Sequence, residues 1–141
     1  MSVENSFPNL TADGYQVTSP QSLEYNCIAW AAGDHTQWWW PADDAFWPTK
    51  DRAVTEAVFV KAFATLGYAP AASEHLESGW DRVARYAQDG RVTHAARQLP
   101  NGRWTSKLGY DVDLEHDLRG LEGIVYGCVV RILRRPTTPL S

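Results

Sequence analysis

The chain has 141 residues, 44% of them hydrophobic, and a formal net charge of −4 at neutral pH. This length and apolar content predict a single domain over residues 1–141, with a substantial core. The acidic balance argues against a nucleic-acid partner, because proteins that bind the phosphate backbone usually present a basic face. No apolar run reaches the length of a membrane span, so no membrane partner is expected.

The N-terminus and the cysteine count bear on localisation. The first six residues, Met-Ser-Val-Glu-Asn-Ser, contain no basic region and no apolar stretch, so they do not resemble a secretory signal. We therefore expect a cytoplasmic protein, or one exported by a signal-independent route. Two cysteines, Cys27 and Cys128, cannot form a disulfide framework.

The first half of the chain predicts helices. Residues 1–20 are rich in Pro, Asn, Ser and Thr and predict an irregular N-terminal arm. Residues 22–33 predict a short buried helix with Cys27 in its first turn. After an ordered loop over residues 34–52, residues 53–66 carry apolar side chains at helical spacing and predict a second helix.

The second half of the chain predicts antiparallel strands. Alternation and turn residues predict strands at 81–88, 91–99, 103–108 and 124–133. Asp89-Gly90 and Asn101-Gly102 are hairpin signals, and Leu114–Leu121 predicts a short helix. Helices followed by strands predict an α+β fold, with N-terminal helices packed on an antiparallel β-sheet.

A thiol and an imidazole occupy positions that suit a nucleophile–base pair. Cys27 begins a predicted helix, and a helix N-terminus favours the thiolate. His94 lies on a predicted strand and could accept the thiol proton or hold it in an ion pair. The alternative is that Cys27 is a small core residue and His94 a solvated strand residue.

These residues also carry a resemblance. The string Tyr25-Asn26-Cys27-Ile28-Ala29-Trp30-Ala31, with His94-Ala95-Ala96-Arg97 and Trp104-Thr105-Ser106-Lys107-Leu108-Gly109, resembles a group of bacterial domains of unknown function. The order of cysteine helix, histidine strand and neighbouring polar strand resembles the papain-like superfamily of cysteine peptidases and amidases, including its NlpC-like branch. This second resemblance covers residues 21–111. It implies a papain-like core, with Cys27 as nucleophile and His94 as base. The glycine-rich sequence around the cysteine of papain itself is absent.

A third catalytic residue can be sought from the hairpin register. If Asn101-Gly102 is a two-residue turn, Asp111 is a diagonal neighbour of His94, where a carboxylate would orient the imidazole. A bulge at Gly102 would shift the register and place Ser106 beside His94 instead. His116 is a further candidate if the chain folds back.

The resemblance also implies a side-chain donor for an oxyanion. Papain-like enzymes often carry a glutamine six residues before the cysteine, and Gln21 has this spacing from Cys27. Asn26 is the nearer alternative, and the backbone N–H of Cys27 would supply the other donor.

Three adjacent tryptophans cannot all point into one core. Trp38, Trp39 and Trp40 predict either a rigid aromatic loop that covers the core or the wall of a substrate-binding groove.

The candidate metal ligands do not have the spacing of a known metal motif. They are Cys27, His35, His75, His94 and His116, and no pair matches a zinc knuckle or a two-histidine helix. We therefore expect no metal and no other cofactor.

The sequence leaves two functions open. The first is a thiol hydrolase, a cysteine peptidase or amidase that acts on a peptide or amide substrate. The second is a non-catalytic protein-binding or immunity-type domain on a papain-like frame, whose acidic charge and aromatic surface serve a protein partner. A working pair needs the Cys27 sulfur within roughly 4 Å of a His94 ring nitrogen.

Overall fold

A computed structural model describes residues 7–10, 14–19, 25–34, 36–42, 45–108 and 113–137. Over these residues the chain forms one sheet of seven strands. The strands are β1 (Tyr15–Ser19), β2 (Ala69–Pro70), β3 (Trp80–Gln88), β4 (Arg91–Gln98), β5 (Trp104–Lys107), β6 (Asp113–His116) and β7 (Cys128–Pro136). The helices are α1 (Cys27–Ala32), α2 (Glu56–Ala64) and a 3₁₀ helix (Leu118–Leu121).

The sheet is built around a meander. Its strand order is β1-β6-β5-β4-β3-β7-β2, and every neighbouring pair is antiparallel. The first hairpin turns at Asp89 and Gly90, which have φ angles of 53° and 80° and connect the paired residues Gln88 and Arg91. Positive φ at both central residues is the geometry that matches the twist of the flanking strands. The hairpin predicted at Asp89-Gly90 is confirmed.

The second hairpin has a longer loop than a two-residue turn. The Leu99 N–H donates to the Arg103 carbonyl at 2.7 Å, and the Gly102 N–H donates to the Leu99 carbonyl at 2.9 Å. Gly102 has a φ of 89°, as in three-residue hairpin loops that end in a bulge. Arg97 is therefore opposite Thr105. The prediction of a two-residue turn was wrong, and the register of β5 against β4 is shifted by one residue from the predicted one.

Alternation along the central strands directs side chains into two cores, one on each face of the sheet. Val83 and Ala95 lie on what we call the helix face, where α1 and α2 pack. Ala84 and Ala96 lie on the opposite face, which we call the far face. The far face is covered by residues from the N-terminal segment and the 3₁₀ helix, namely Phe7, Leu10, Leu118 and Leu121.

The predicted fold class was wrong. We expected N-terminal helices packed on an antiparallel sheet in a papain-like or NlpC-like core, but the described chain is mostly antiparallel sheet. A strand, β1, precedes α1, which has six residues, and α2, which has nine. No helix among the described residues, α1 and α2 included, is long and apolar enough to cross a membrane.

Two individual elements also differ from the prediction. Residues 15–19 of the supposed irregular arm form β1, which pairs with β6 at the sheet edge. The helix expected over Leu114–Leu121 is instead β6 followed by the 3₁₀ helix. Leu114 lies opposite Ser106 on β5 and is fully buried in the far-face core, so tertiary packing overrides the local helical pattern.

Candidate functional site

The start of α1 is fixed by one asparagine. The Asn26 Oδ1 atom accepts from the Ala29 N–H and from the Trp39 N–H, both at 3.1 Å. Its Nδ2 atom donates to the Trp39 carbonyl at 2.8 Å. Asn26 is 4% exposed, and its amide therefore ties the helix to the tryptophan loop rather than facing an open cleft. The other oxyanion candidate, Gln21, lies outside the described residues.

The Cys27 thiol lies in the core between α1 and the sheet. Burial raises its pKa to about 11, although the Ala95 backbone and the Lys107 charge act in the opposite direction. The side chain is 7% exposed. Near neutral pH the group is therefore a protonated thiol, whereas the sequence predicted an activated thiolate.

The His94 imidazole lies on the far face of the sheet. Its ring stacks on Tyr126 with 4.1 Å between centroids, and its Nε2 atom is 2.9 Å from the Ser106 Oγ atom. The next residue, Ala95, faces the helix side beside Cys27. Because successive strand residues point to opposite faces, the sheet lies between the Cys27 thiol and the His94 ring. The structure does not bring these two side chains together.

His94 is instead one end of a buried hydrogen-bond chain. The His116 Nδ1 atom is 2.7 Å from the Asp117 carbonyl, which can only accept, so this nitrogen carries the proton. The Ser106 hydroxyl then donates to His116 Nε2 at 2.7 Å and accepts from the His94 Nε2–H. Within the described residues, His94 Nδ1 is left without a hydrogen-bond partner.

Both histidines are neutral in this chain. Burial lowers the pKa of His94 well below its usual value, and the nearby His116 lowers it further. Burial also lowers the pKa of His116 to about 4. The bulge at Gly102 places Ser106 beside His94, as the alternative register required. The other candidate for this position, Asp111, lies outside the described residues.

A second polar group, which the sequence analysis missed, lies close to Cys27 on the helix face. The Tyr25 hydroxyl donates to Asp113 Oδ2 at 2.7 Å, and Lys107 is opposite Asp113 in the strand register. The Lys107 ammonium lies 5.4 Å from the centre of the Tyr25 ring. Alternation from Ala95 across the correct register would have placed Lys107 on this face.

This group is closed to substrate. Lys107 and Asp113 are fully buried, and Tyr25 is 9% exposed beneath the stacked Trp30 ring. The Asp113 Oδ1 atom, which is also buried, has no hydrogen-bond partner among the described residues. The Lys107 charge lowers the pKa of Cys27, but burial raises that pKa by more.

The tryptophan loop packs chiefly against α2. Trp39 is 5% exposed, lies 6.3 Å from the Phe63 ring, and donates from its indole to Asp34 at 3.0 Å. Trp40 meets the Phe59 ring edge-on at 5.8 Å, and Trp38 is half-buried. Trp39 and Trp40 therefore cover the core beside α2, and a substrate groove formed by this loop stays a prediction.

The Asp34 carboxylate organises the beginning of this loop. Burial acts to raise its pKa, but hydrogen bonds from Thr36, Trp39 and Gln37 outweigh that effect and hold the pKa well below its usual range. The Thr36 N–H and hydroxyl donate to one carboxylate oxygen at 2.8 and 2.7 Å.

The outer edge of β7 is only partly covered. β2 pairs with it at Leu133 and Arg134, and the Ala71 N–H donates to the Ile132 carbonyl at 2.8 Å. No strand of the described chain pairs with residues 128–131 from that side. A groove of about 470 Å³ runs here, lined by residues 71–75, Arg119 and residues 129–132.

Apolar side chains are exposed on β7 and on the turn that precedes it. Reciprocal backbone hydrogen bonds of 2.9 and 2.8 Å between Gly123 and Gly127 close a tight turn, and Ile124 at its tip is 87% exposed. Val125 is 43% exposed and Val130 is 41% exposed. Exposed apolar surface beside an open strand edge is typical of an interaction site.

No group of three or more His, Cys, Asp or Glu side chains among the described residues is arranged to hold a metal ion.

Residues 16–134 match a family described as a domain of unknown function, DUF7689. The match spans most of the chain, which therefore belongs to this family. No curated protein and no solved structure matches the chain.

Proposed function

We propose that this DUF7689 domain is a non-catalytic protein-binding domain whose partner lays an extended segment along the outer edge of β7. The observation that carries the proposal is the stretch of residues 128–131, which lacks a neighbouring strand on one side and borders a groove. Within this stretch the Val129 N–H already donates to the Glu122 Oε2 atom at 2.9 Å. The other backbone N–H and C=O groups of a strand edge can pair with an added strand, and this is a common mode of peptide recognition.

The side chains around the groove suggest what such a segment would contain. Arg119 already pairs with Glu74 and Glu122, and Arg131 pairs with Glu56. The groove therefore offers few uncompensated charges, and the exposed contacts next to it are Val130 and the Ile124 turn. We expect a segment with β-branched or other apolar residues at alternate positions, held chiefly by main-chain hydrogen bonds.

The geometry around Cys27 favours binding over thiol catalysis. A thiol hydrolase needs a thiolate within hydrogen-bond reach of its base. Here burial raises the pKa of Cys27, and the His94 ring lies across the sheet from it. The binding alternative requires neither group to be active, nor does it require a papain-like frame.

The test compares a substitution on β7 with a matched substitution on β1, at the opposite side of the sheet. Val130 on β7 and Val17 on β1 are exposed to similar degrees, 41% and 49%. We would select peptides from a displayed library of linear sequences against the wild-type domain, and then measure their binding to Val130→Lys and Val17→Lys. A lysine on an edge strand disfavours the addition of another strand. We expect Val130→Lys to weaken binding at least about tenfold, and Val17→Lys to leave it unchanged.

Three outcomes would overturn the proposal. They are selected peptides that bind Val130→Lys as well as wild type, peptides lost only with Val17→Lys, and a selection that enriches no peptide. Circular dichroism of both variants establishes that each is folded.

A further inference from the structure

We infer that the segment that adds to β7 carries an acidic side chain opposite Arg131, on the helix face of the sheet. This inference rests on the function proposed above and names the chemistry of one position of the partner. Alternate residues of an added strand point to opposite faces of a sheet. The acidic position is therefore distinct from the apolar positions that point to the far face.

Arg131 lies on the helix face of the open part of β7. It is opposite Arg85 in the pairing of β7 with β3, two residues from the pair of Leu133 with Val83 in the helix-face core. The Arg131 side chain is 43% exposed. Directly opposite residues on paired antiparallel strands have their Cβ atoms roughly 4.5–5.5 Å apart. A side chain of the added strand can therefore reach Arg131.

Arg131 shares its carboxylate with a second arginine. The Glu56 Oε1 atom, at the start of α2, accepts from the Arg131 Nε–H and lies 3.7 Å from the Arg85 Nη2 atom. Within the described residues, neither arginine has another carboxylate at ion-pair distance. Two guanidinium groups therefore face one carboxylate, which leaves a local excess of one positive charge.

This excess is unfavourable because Arg85 is fully buried. None of its three side-chain nitrogens has a hydrogen-bond partner in the part of the chain that the structure describes. Burial lowers the pKa of Arg85 to about 10, while Glu56 acts to raise it and the Arg131 charge lowers it further. Arg85 therefore stays charged at neutral pH and competes with Arg131 for Glu56. Since Arg85 is closed to solvent, a partner can supply negative charge only at Arg131.

Arg131 has hydrogen-bond donors left for a partner. Its Nε–H donates to Glu56, whereas its two Nη atoms have no acceptor among the described residues. A carboxylate can accept from a guanidinium through two parallel hydrogen bonds. Arg119, the other arginine beside the open edge, pairs with both Glu74 and Glu122 and has no such excess of charge. Arg131 is therefore the position that selects for an acidic residue.

The experiment uses the linear peptides selected against the wild-type domain. Each acidic residue of a peptide is replaced by its amide, glutamate by glutamine and aspartate by asparagine. Binding to the wild-type domain is measured by fluorescence anisotropy at low and at high salt. We expect replacement at one position to weaken binding about threefold to fivefold, because a partly exposed ion pair is lost. This loss should shrink at high salt, which screens the pair.

Two variants of the domain locate the acidic side chain. Arg131→Gln should weaken binding by a similar factor and remove the effect of the amide replacement. Arg134→Gln is the matched control: Arg134 also shares a carboxylate, Glu77, with a buried arginine, Arg82. Arg134 is opposite Ala69 of β2, however, where the edge is covered. This control should leave both binding and the amide effect unchanged.

The outcomes separate the inference from the proposed function. Peptides that Val130→Lys releases, but that carry no acidic residue or bind equally well after every amide replacement, would overturn the inference alone. An amide effect that persists in full in Arg131→Gln would also overturn it, since the acid would then pair elsewhere. A selection that enriches no peptide would overturn both. The comparison of acid with amide uses only the wild-type domain, so it holds even if Arg131→Gln does not fold.

Discussion

The Cys27 thiol is packed between α1 and Ala95, where burial and not the helix terminus governs its ionisation. α1 has only six residues, and burial outweighs the nearby Lys107 charge in setting the pKa near 11. Cys128 is the contrasting case, since it is exposed at the start of β7. The position of Cys27 at a helix start predicted an activated thiolate, and therefore that Cys27 would be the more reactive of the two cysteines.

Alkylation distinguishes these two accounts. At pH 8, about one Cys27 thiol in a thousand is ionised when its pKa is near 11, and burial also limits access to it. We expect iodoacetamide to modify Cys128 first, and Cys27 only after denaturant is added. Mass spectrometry of digested samples reads both sites, with Cys128→Ser as the control for Cys27 alone. Rapid labelling of native Cys27 would instead support the thiol-hydrolase prediction.

The two neutral histidines make stability depend on pH. The folded state holds the pKa of His116 near 4, below its ordinary value of 6.5, and also lowers the pKa of His94. Between these pH values the unfolded chain binds more protons than the folded chain, so stability falls as the pH drops from 6.5 towards 4. Each such histidine contributes a loss of up to about 1.4 kcal/mol per pH unit.

Urea unfolding at several pH values checks this dependence. We expect His116→Gln to reduce the loss of unfolding free energy between pH 6.5 and pH 5. His75→Gln changes an exposed histidine and should keep the wild-type slope. Identical slopes in His116→Gln and wild type would contradict the assigned protonation state.

At the scale of elements, Asn26 connects α1 to the tryptophan loop. Its side chain caps the helix and makes two further hydrogen bonds to the Trp39 backbone. We expect Asn26→Ala to lower the free energy of unfolding by about 2–4 kcal/mol, because the cap and both loop bonds are lost. Asn101→Ala, which removes one exposed bond to Arg103, should cost less than about 1 kcal/mol. Similar urea midpoints for the two variants would refute this role.

Local signals predicted the hairpin elements well and the register less well. Asp89-Gly90 determines its own turn, so β3 and β4 could be located from sequence. A glycine with positive φ, such as Gly102, occurs in two-residue and in three-residue hairpin loops. The Asn101-Gly102 dipeptide alone therefore does not determine the length of the loop. The difference of one residue in loop length determines whether Ser106 lies beside His94.

The pairing of Cys27 with His94 could not be tested from sequence order. A cysteine helix followed by a histidine strand is compatible with either face of the sheet. The structure places Ala95 against α1, and alternation then directs His94 to the far face. The long-range packing of α1 determines on which face of the sheet His94 lies, and no local sequence pattern encodes that packing.

At the scale of the whole molecule, the strand order explains why the papain-like core was wrong. β1 and β6 pair across most of the sequence, and β7 returns to pair with β3. These contacts join distant segments, and a segment of only five residues such as β1 gives little local signal for a strand. The outcome is a sheet whose β7 side carries both the open edge and the exposed turn at Ile124.

The central claim is that a partner segment adds to β7, and site-resolved hydrogen exchange on a complex with a selected peptide tests it most directly. Backbone amides gain protection when a new strand pairs with them. The account predicts that protection increases at residues 128–131 and leaves β1 unchanged. Protection that increases only on β1, on the tryptophan loop or around Cys27, with none on β7, would contradict it.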